Sequence, residues 1–233
     1  MPRPLTLKFT LINSDISTAK RIKDYLYQDI PVMAIDYMIV NDINISGNED
    51  VLFNELGFLA IDSSEAFRLV DTDKCESVIQ EGKLSPQCSV IYTLDQSNDN
   101  DEIKIITTSD FKTSNPLFPF IKNNNTEQVI LKLAKGQYIK IICVARRGYG
   151  ITHAKWIPVS KVVYDYDRSW GYDYKAFRLA RQKDNNVPIS DFRILADKYN
   201  FRIESIGQYD ANQLLDLIKV KFPQAELENI VIE

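Results

Sequence analysis

The stretch "KRIKDYLYQDIPVMAIDYMIVNDINIS", Lys20–Ser46, decides how this chain is read. Its first third continues a repeat that begins just upstream. Ile16, Ala19, Ile22, Leu26 and Ile30 recur at spacings of three and four, the period of one helix face. Ser14 or Asp15 suits the N-cap, and Pro31, which has no backbone N–H to donate, ends the helix. Lys20, Arg21, Lys23 and Asp24 fall on the opposite face as a solvated surface. Beyond Pro31 the pattern changes. "VMAIDYMIVNDINI" reads as a strand, and Asn41, Asp42, Ser46, Gly47 and Asn48 supply turn chemistry at its far end.

Working outward, "LTLKFTLI" alternates as a half-buried strand does, with Leu5, Leu7, Phe9 and Leu11 on one face. "DVLFNELGFLAI" is a short amphipathic helix carrying Val51, Leu52, Leu56 and Leu59, with Gly57 as its C-cap. From Cys75 to Asn125 the chain is loop-rich. "SVIYTLDQ" and "EIKIITTSDF" read as the strands of a hairpin whose solvated tip is "QSNDNDE", while "NPLFPFIKNNNTEQ" is irregular. "VILKLAKGQYIKIICVARRGYGI" reads as two strands joined near Lys135 and Gly136. "VSKVVYDYD" and "KYNFRIESIG" are strands, and no element is assigned to "SWGYDYKAFRLARQKDNNVP" between them. "YDANQLLDLIKVKF" closes as a helix capped by Asp210, with Gln213 three residues on and Leu214, Leu215, Leu217, Ile218 and Phe222 apolar. Helices beside strands at both ends, with a loop-rich β middle, predict an α+β fold: one domain made from both termini and interrupted by an inserted, mostly β domain.

With 233 residues, 45% hydrophobic and 26% charged, the chain has enough apolar material for a proper core. A net charge of -4 leaves no basic field of the kind nucleic-acid binding requires, so contact with DNA is expected only through partners. Cys75, Cys88 and Cys143 include no Cys-x-x-Cys pair. Neither a disulfide framework nor a four-ligand zinc site follows, and a reducing, intracellular setting is expected. No apolar run reaches membrane-spanning length, and the start "MPRPLTLKFTLINSD" lacks the pattern of a signal peptide; no membrane partner is expected.

The segment "GYGITHAKWIPV", Gly148–Val159, is the natural place to look for chemistry, because it holds the sole histidine. His153 has no second histidine to share a metal, and the carboxylates nearest in sequence, Asp165 and Asp167, lie along a strand pattern. It is therefore expected to be a packed, hydrogen-bonded structural residue. "RRGYG" lacks the context and terminal Lys-Ser/Thr of a P-loop and reads as a turn, with Arg146 or Arg147 in an ion pair. Neither Gly-x-Ser-x-Gly nor His-Glu-x-x-His occurs, and no catalytic, cofactor or metal residue is assigned. Tyr164, Tyr166, Tyr172 and Tyr174 offer stacking surfaces, but the few cations between them favour a protein interface. Two other readings stay open on residues alone. One is a free-standing nucleic-acid-binding or processing factor using Arg146, Arg147, Lys155 and the tyrosines; the other is a metal-dependent hydrolase.

The order of segments resembles the alpha-like assembly subunits of multisubunit RNA polymerases. The family's basic amphipathic helix, proline, "AID" strand, Asn-containing turn and short helix with a Leu-Gly-Leu-like step correspond to Arg21 to Leu26, Pro31, Ala34-Ile35-Asp36, Asn44 and Leu56-Gly57-Phe58. "CSVIYTL" at Cys88 to Leu94 is similar to the strand after the family's zinc loop, and "LKLAKGQYIKIICVARRGYGITHAKWIPV" resembles the strand pair and His-Ala-Lys-Trp-x-Pro segment of archaeal and eukaryotic members. "FRIESIG" is similar to the strand that leads into the C-terminal dimerisation helix. The likeness is strongest to the third-largest subunit of eukaryotic RNA polymerase II and its archaeal counterpart.

The resemblance implies a non-catalytic scaffold that needs no cofactor, with a dimerisation domain from 1–47 and 157–233 around an insert at 48–156. It implies pairing through the terminal helices with a smaller alpha-like subunit, as a platform for the second-largest subunit and small zinc-binding subunits. Ile16, Ala19, Ile22, Leu26, Ile30, Leu214, Leu217, Ile218 and Phe222 are then the core and partner seam. His153, Trp156 and Pro158 fix the junction where the chain leaves the insert, and Arg146, Arg147 and Lys155 face a neighbouring subunit if they have a role beyond solubility. Only Cys75 and Cys88 stand where the family commonly has four cysteines, so zinc binding is not carried over. Pro223 interrupts the usually long C-terminal helix, and the chain stops at Glu233. With a lean toward Ile, Asn, Lys and Asp typical of AT-rich coding sequence, this points to a divergent lineage such as a large DNA virus or a plasmid.

Overall fold

The structure, a computed structural model, describes residues 5–71, 74, 85–122, 126–166, 171–184, 186–194 and 197–233. In chain order its elements are β1 (Thr6–Ile12), α1 (Ile16–Gln28), β2 (Pro31–Asn44), α2 (Glu49–Gly57), β3 (Ser89–Asn98), β4 (Lys104–Thr107), β5 (Lys112–Thr113), β6 (Val129–Leu133) and β7 (Gln137–Tyr149). They continue with β8 (Val159–Tyr166), β9 (Gly171–Tyr172), α3 (Tyr174–Lys183), β10 (Arg193–Ile194), β11 (Tyr199–Ser205), α4 (Ala211–Lys221) and β12 (Glu226–Ile232). The fold is α+β and divides into two compact units, Tyr27–Pro158 with Ser205–Asp210, and Pro4–Leu26 with Val159–Glu204 and Ala211–Glu233.

The second of these is a sheet with helices. Its four strands run in the order β12-β1-β11-β8. The alternation of β1 buries Leu7, Phe9 and Leu11, opposite Ile203, Phe201 and Tyr199 of β11, and Phe9 stacks on Phe201 at 4.9 Å. The other face carries Lys8 directly opposite Arg202. That like-charge pairing would be unfavourable alone, but Glu233 takes Lys8 at 2.7 Å and Glu204 takes Arg202 at 2.9 Å. Helix α1 is capped by Asp15, whose carboxylate accepts the Thr18 N–H at 2.8 Å, and it buries Ala19, Ile22, Tyr25 and Leu26. Helix α4 buries Ala211, Leu214, Leu215 and Ile218. Tyr25 meets Phe222 edge-on at 5.8 Å, and Arg21 lies over the same ring at 5.6 Å.

The first unit is built on an antiparallel sheet in the order β2-β7-β3-β5, beside a two-stranded sheet of β4 and β6. Met33, Ile35, Val90, Tyr92, Ile139, Ile141, Cys143 and Ala145 form its core with Leu52 and Leu56 of α2 and Phe118 from the irregular segment. Tyr92 donates its hydroxyl to the Phe118 carbonyl at 2.5 Å, so this fully enclosed ring keeps its polar end satisfied.

Two local expectations give way here, and one strand was not expected. The hairpin of "SVIYTLDQ" with "EIKIITTSDF" does not form, because β3 pairs with β7 and β5 while β4 pairs with β6. The buried Asn98 side chain diverts the chain there, donating to the carbonyls of Glu102 at 2.7 Å and Leu133 at 2.8 Å. Gly57 is the last residue of α2 and not its C-cap; Phe58 caps it, with its N–H turned back to the Glu55 and Leu56 carbonyls. After α4 the chain adds β12 to the edge of β1, an element hidden in sequence because Asn229 at φ 51 and a register shift break the alternation.

Within the expected seam, burial separates the residues. Leu26→Ala or Ile218→Ala removes a fully enclosed side chain and should cost about 2–5 kcal/mol, whereas Ile16→Ala, at 60% exposure, should stay within about 0.5 kcal/mol. Urea unfolding of the three variants measures the difference.

Candidate functional site

The arginines of "RRGYG", read in sequence as part of a turn, lie within β7, which continues to Tyr149, and their side chains point to opposite faces of the sheet. A bulge in β2 receives one of them. The register passes from Ile35 opposite Ala145 to Tyr37 opposite Val144, so Asp36 stands outside the ladder. Its carboxylate accepts from Lys155 Nζ at 2.9 Å and from Arg146 at 3.4 Å, and the Arg146 guanidinium lies over the Tyr37 ring at 4.7 Å. On the other side Arg147 donates through two nitrogens to Asp71, which also accepts the Tyr149 hydroxyl at 3.0 Å. Burial raises the Asp71 carboxyl, but the bonds from Arg147 and Tyr149 and the nearby guanidinium charge outweigh it and hold Asp71 below the ordinary carboxylate range. The side chains of Arg146, Arg147 and Lys155 keep only 12%, 11% and 14% of their surface.

The expectation that these three cations face a neighbouring subunit is therefore corrected. They tie the chain to itself, and the reading of a nucleic-acid factor that relied on them loses its phosphate contacts. Beside them a cleft of about 330 Å³ is lined by Asp36, Asp71, Lys74, Arg147, Tyr149 and Trp156, among others.

The junction segment follows at once. A Cβ on Gly148 would sit 2.3 Å from the Trp156 ring, and one on Gly150 would sit 1.8 Å from the Tyr27 carbonyl oxygen, so both glycines answer to close packing. Trp156 donates from Nε1 to the Arg146 carbonyl at 3.3 Å, and Lys155 lies over its ring at 4.4 Å. Pro158 is buried, and its carbonyl accepts the Ile206 N–H at 3.0 Å. His153 makes the hydrogen bond expected of it but is exposed: it caps a short turn at Ala154–Trp156, its Nδ1 accepting the Lys155 N–H at 3.1 Å, and its ring lies 6.2 Å from Phe58 and 6.3 Å from Trp156.

The seam residues separate into two groups. Ala19, Ile22, Leu26, Ile30, Leu214 and Ile218 are fully enclosed within this chain and Phe222 is 9% exposed, whereas Ile16 is exposed and Leu217 half-buried. Val220, which the sequence reading passed over, is 80% exposed on α4. Of the tyrosines, Tyr164 packs against Phe201 at 5.1 Å and Tyr199 at 6.0 Å, which makes it part of the sheet's own aromatic cluster. Tyr174 is exposed on α3, and the Tyr172 side chain lies outside the described residues.

Burial pushes the Cys143 thiol up to about 12, so it stays protonated and unreactive near neutral pH. Cys88 is buried, and Cys75 lies outside the described residues. Among the described residues no group of three or more His, Cys, Asp or Glu is placed to hold a metal, and no helix is long and apolar enough to cross a membrane. What this geometry does is hold backbone segments in fixed relation.

A family model described as the RNA polymerase Rpb3/RpoA insert domain matches residues 42–162, more than half of the chain. The chain is 25% identical over 170 residues to subunit 3 of DNA-directed RNA polymerases II, IV and V of Arabidopsis thaliana, covering 69% of this chain and 53% of that protein. To the RNA polymerase II subunit RPB3 of Schizosaccharomyces pombe it is 27% identical, across 90% of this chain and 77% of the relative. To the RNA polymerase subunit Rpo3 of Pyrobaculum islandicum it is 27% identical, across 94% of this chain and 89% of the relative. The chain spans about half the length of the first curated relatives it matches.

Because the folded value of Asp71 lies below the unfolded one, its stabilisation is fully present above the ordinary Asp range near pH 4 and is lost as pH falls through the folded value. Asp71→Asn should cost about 1.5–3 kcal/mol at pH 7, and the difference from wild type should shrink steadily as pH falls below the ordinary Asp range. Melting temperatures of both proteins across that range measure it.

Proposed function

The chain belongs to the Rpb3/RpoA family of RNA polymerase subunits, and on that footing we propose that it is a non-catalytic assembly subunit of a DNA-directed RNA polymerase. The observation that carries the reading is the insert-domain match over residues 42–162, a span that takes in β3, β7 and the junction segment but only the end of β2. The internal use of Arg146, Arg147 and Lys155 supports it, since the most prominent cations are engaged by Asp36 and Asp71 of the same chain.

In this reading 1–47 and 157–233 carry pairing and 48–156 is the insertion. Strand β2, on the pairing side of that division, is hydrogen-bonded along its length to β7 of the insertion. The partner is a smaller alpha-like subunit, and the pair forms the platform for the second-largest subunit and small zinc-binding subunits. The enclosed residues of α1 and α4 shape the helices, and Ile16, Leu217 and Val220 offer the partner its apolar contacts. DNA is met only through the complex. The subunit acts inside the cell, in the nucleus for a eukaryotic nuclear enzyme, and in the cytoplasm or virion for a viral one.

Affinity purification of the tagged chain from its own cells or infected host, followed by mass spectrometry, should recover the two largest polymerase subunits and one small alpha-like protein; recovery of no polymerase subunit overturns the proposal. Each exposed aliphatic side chain buried at the seam is worth about 1.5–3 kcal/mol. Ile16→Asp combined with Val220→Asp should therefore lower recovery of the small partner by at least about tenfold while the melting temperature of the free chain holds.

A further inference from the structure

We propose that helix α3, Tyr174–Lys183, is a docking surface for an acidic polypeptide segment of a partner subunit. The helix reads YKAFRLARQK and carries Lys175, Arg178, Arg181 and Lys183 with no acidic residue. All four cations are exposed, and none of them forms an ion pair with a described residue; Arg181 only lies over the Phe177 ring at 5.6 Å. Elsewhere lysines and arginines in this chain commonly find carboxylates, as Lys8, Lys122, Lys135, Lys140 and Arg202 do. The concentration is pronounced against the whole chain, which has 28 Lys and Arg facing 32 Asp and Glu. With α3 set apart, the remainder is more acidic still.

The helix is held as a separate element. Asp173 caps it, accepting the Ala176 N–H at 2.9 Å, and Arg181 and Lys183 stand in its last turn, where the helix dipole favours cations. Ala176, Phe177 and Ala180 are half-buried on one side. The outward side therefore presents the four cations together with Tyr174 at 58% exposure and Leu179 at 56%. Tyrosine and arginine beside an exposed leucine make a protein-binding surface. A leucine gains nothing against phosphate, and a polynucleotide extended past α3 would run along a chain of net negative charge. Insertion into a membrane would need the Phe177 side, which is half-buried. The occupant is thus a short run of Asp and Glu with an apolar residue among them, spaced along the ~15 Å of a ten-residue helix.

The inference rests on the assembly reading, and its test uses the assembled complex. Lys175 and Lys183 are acetylated with a water-soluble reagent in the free full-length chain and in the affinity-purified complex, and the complex is then treated with a carbodiimide that joins lysine amines directly to carboxylates. Acetylation of both lysines should fall by about tenfold in the complex, and this protection should survive nuclease digestion. The carbodiimide should link Lys175 or Lys183 to Asp or Glu of another subunit. In a chain carrying Arg178→Glu and Arg181→Glu, whose melting temperature should hold, that link should weaken by at least about tenfold. Equal acetylation in free chain and complex, or protection that nuclease removes, overturns this inference alone. A chain that purifies without any polymerase subunit overturns both it and the assembly reading.

Discussion

Arg146 and Lys155 on one face of the sheet, and Arg147 on the other, can lose most of their exposure only because Asp36 and Asp71 stand within hydrogen-bonding reach of them. Desolvating three cations without carboxylates would cost several kcal/mol per charge, more than one sheet of this size can spare. Both acids come from distant parts of the chain, Asp36 from a bulge in β2 and Asp71 from the segment that follows α2. The charges therefore specify which strand meets β7 and in which register, because sliding β2 by one residue would withdraw Asp36 and invert the buried faces together. Tyr149 and Tyr37 complete the arrangement, one by donating to Asp71 and the other by lying beneath the Arg146 guanidinium.

The junction segment is the continuation of that constraint. Gly148 admits the Trp156 ring and Gly150 admits the Tyr27 carbonyl, so the backbone turns back tightly enough for Lys155 to return to Asp36. Pro158 then passes its carbonyl to Ile206. A segment that has the look of catalytic chemistry, with one histidine among basic residues, is a clasp in which His153 serves only as the cap of a short turn.

The other unit is organised by apolar alternation. Phe9 on Phe201, with Tyr164 and Tyr199 alongside, gives the sheet one aromatic face, and the opposite face carries paired charges. Enclosed side chains set the shape of this unit, while Ile16, Val220 and the basic side of α3 stay exposed.

The periodicities of β1, α1, α2 and α4 were legible in sequence because each element buries one face, and burial imposes the repeat directly. The family was legible too, since its segments recur in order over nearly the whole chain. Three kinds of feature were not. Strand partners were hidden, so β3 and β4 read as a hairpin, because pairing is settled by contacts such as the Asn98 side chain with Leu133, 35 residues apart. Edge elements were hidden: α3 buries no side chain completely and β12 is bulged, and neither carries the pattern that a full core face would print. The fate of each charge was hidden as well. Arg147 and Arg178 look alike in a sequence, and only the fold turns one onto Asp71 and leaves the other in solvent, because an ion pair depends on which distant carboxylate the backbone brings near.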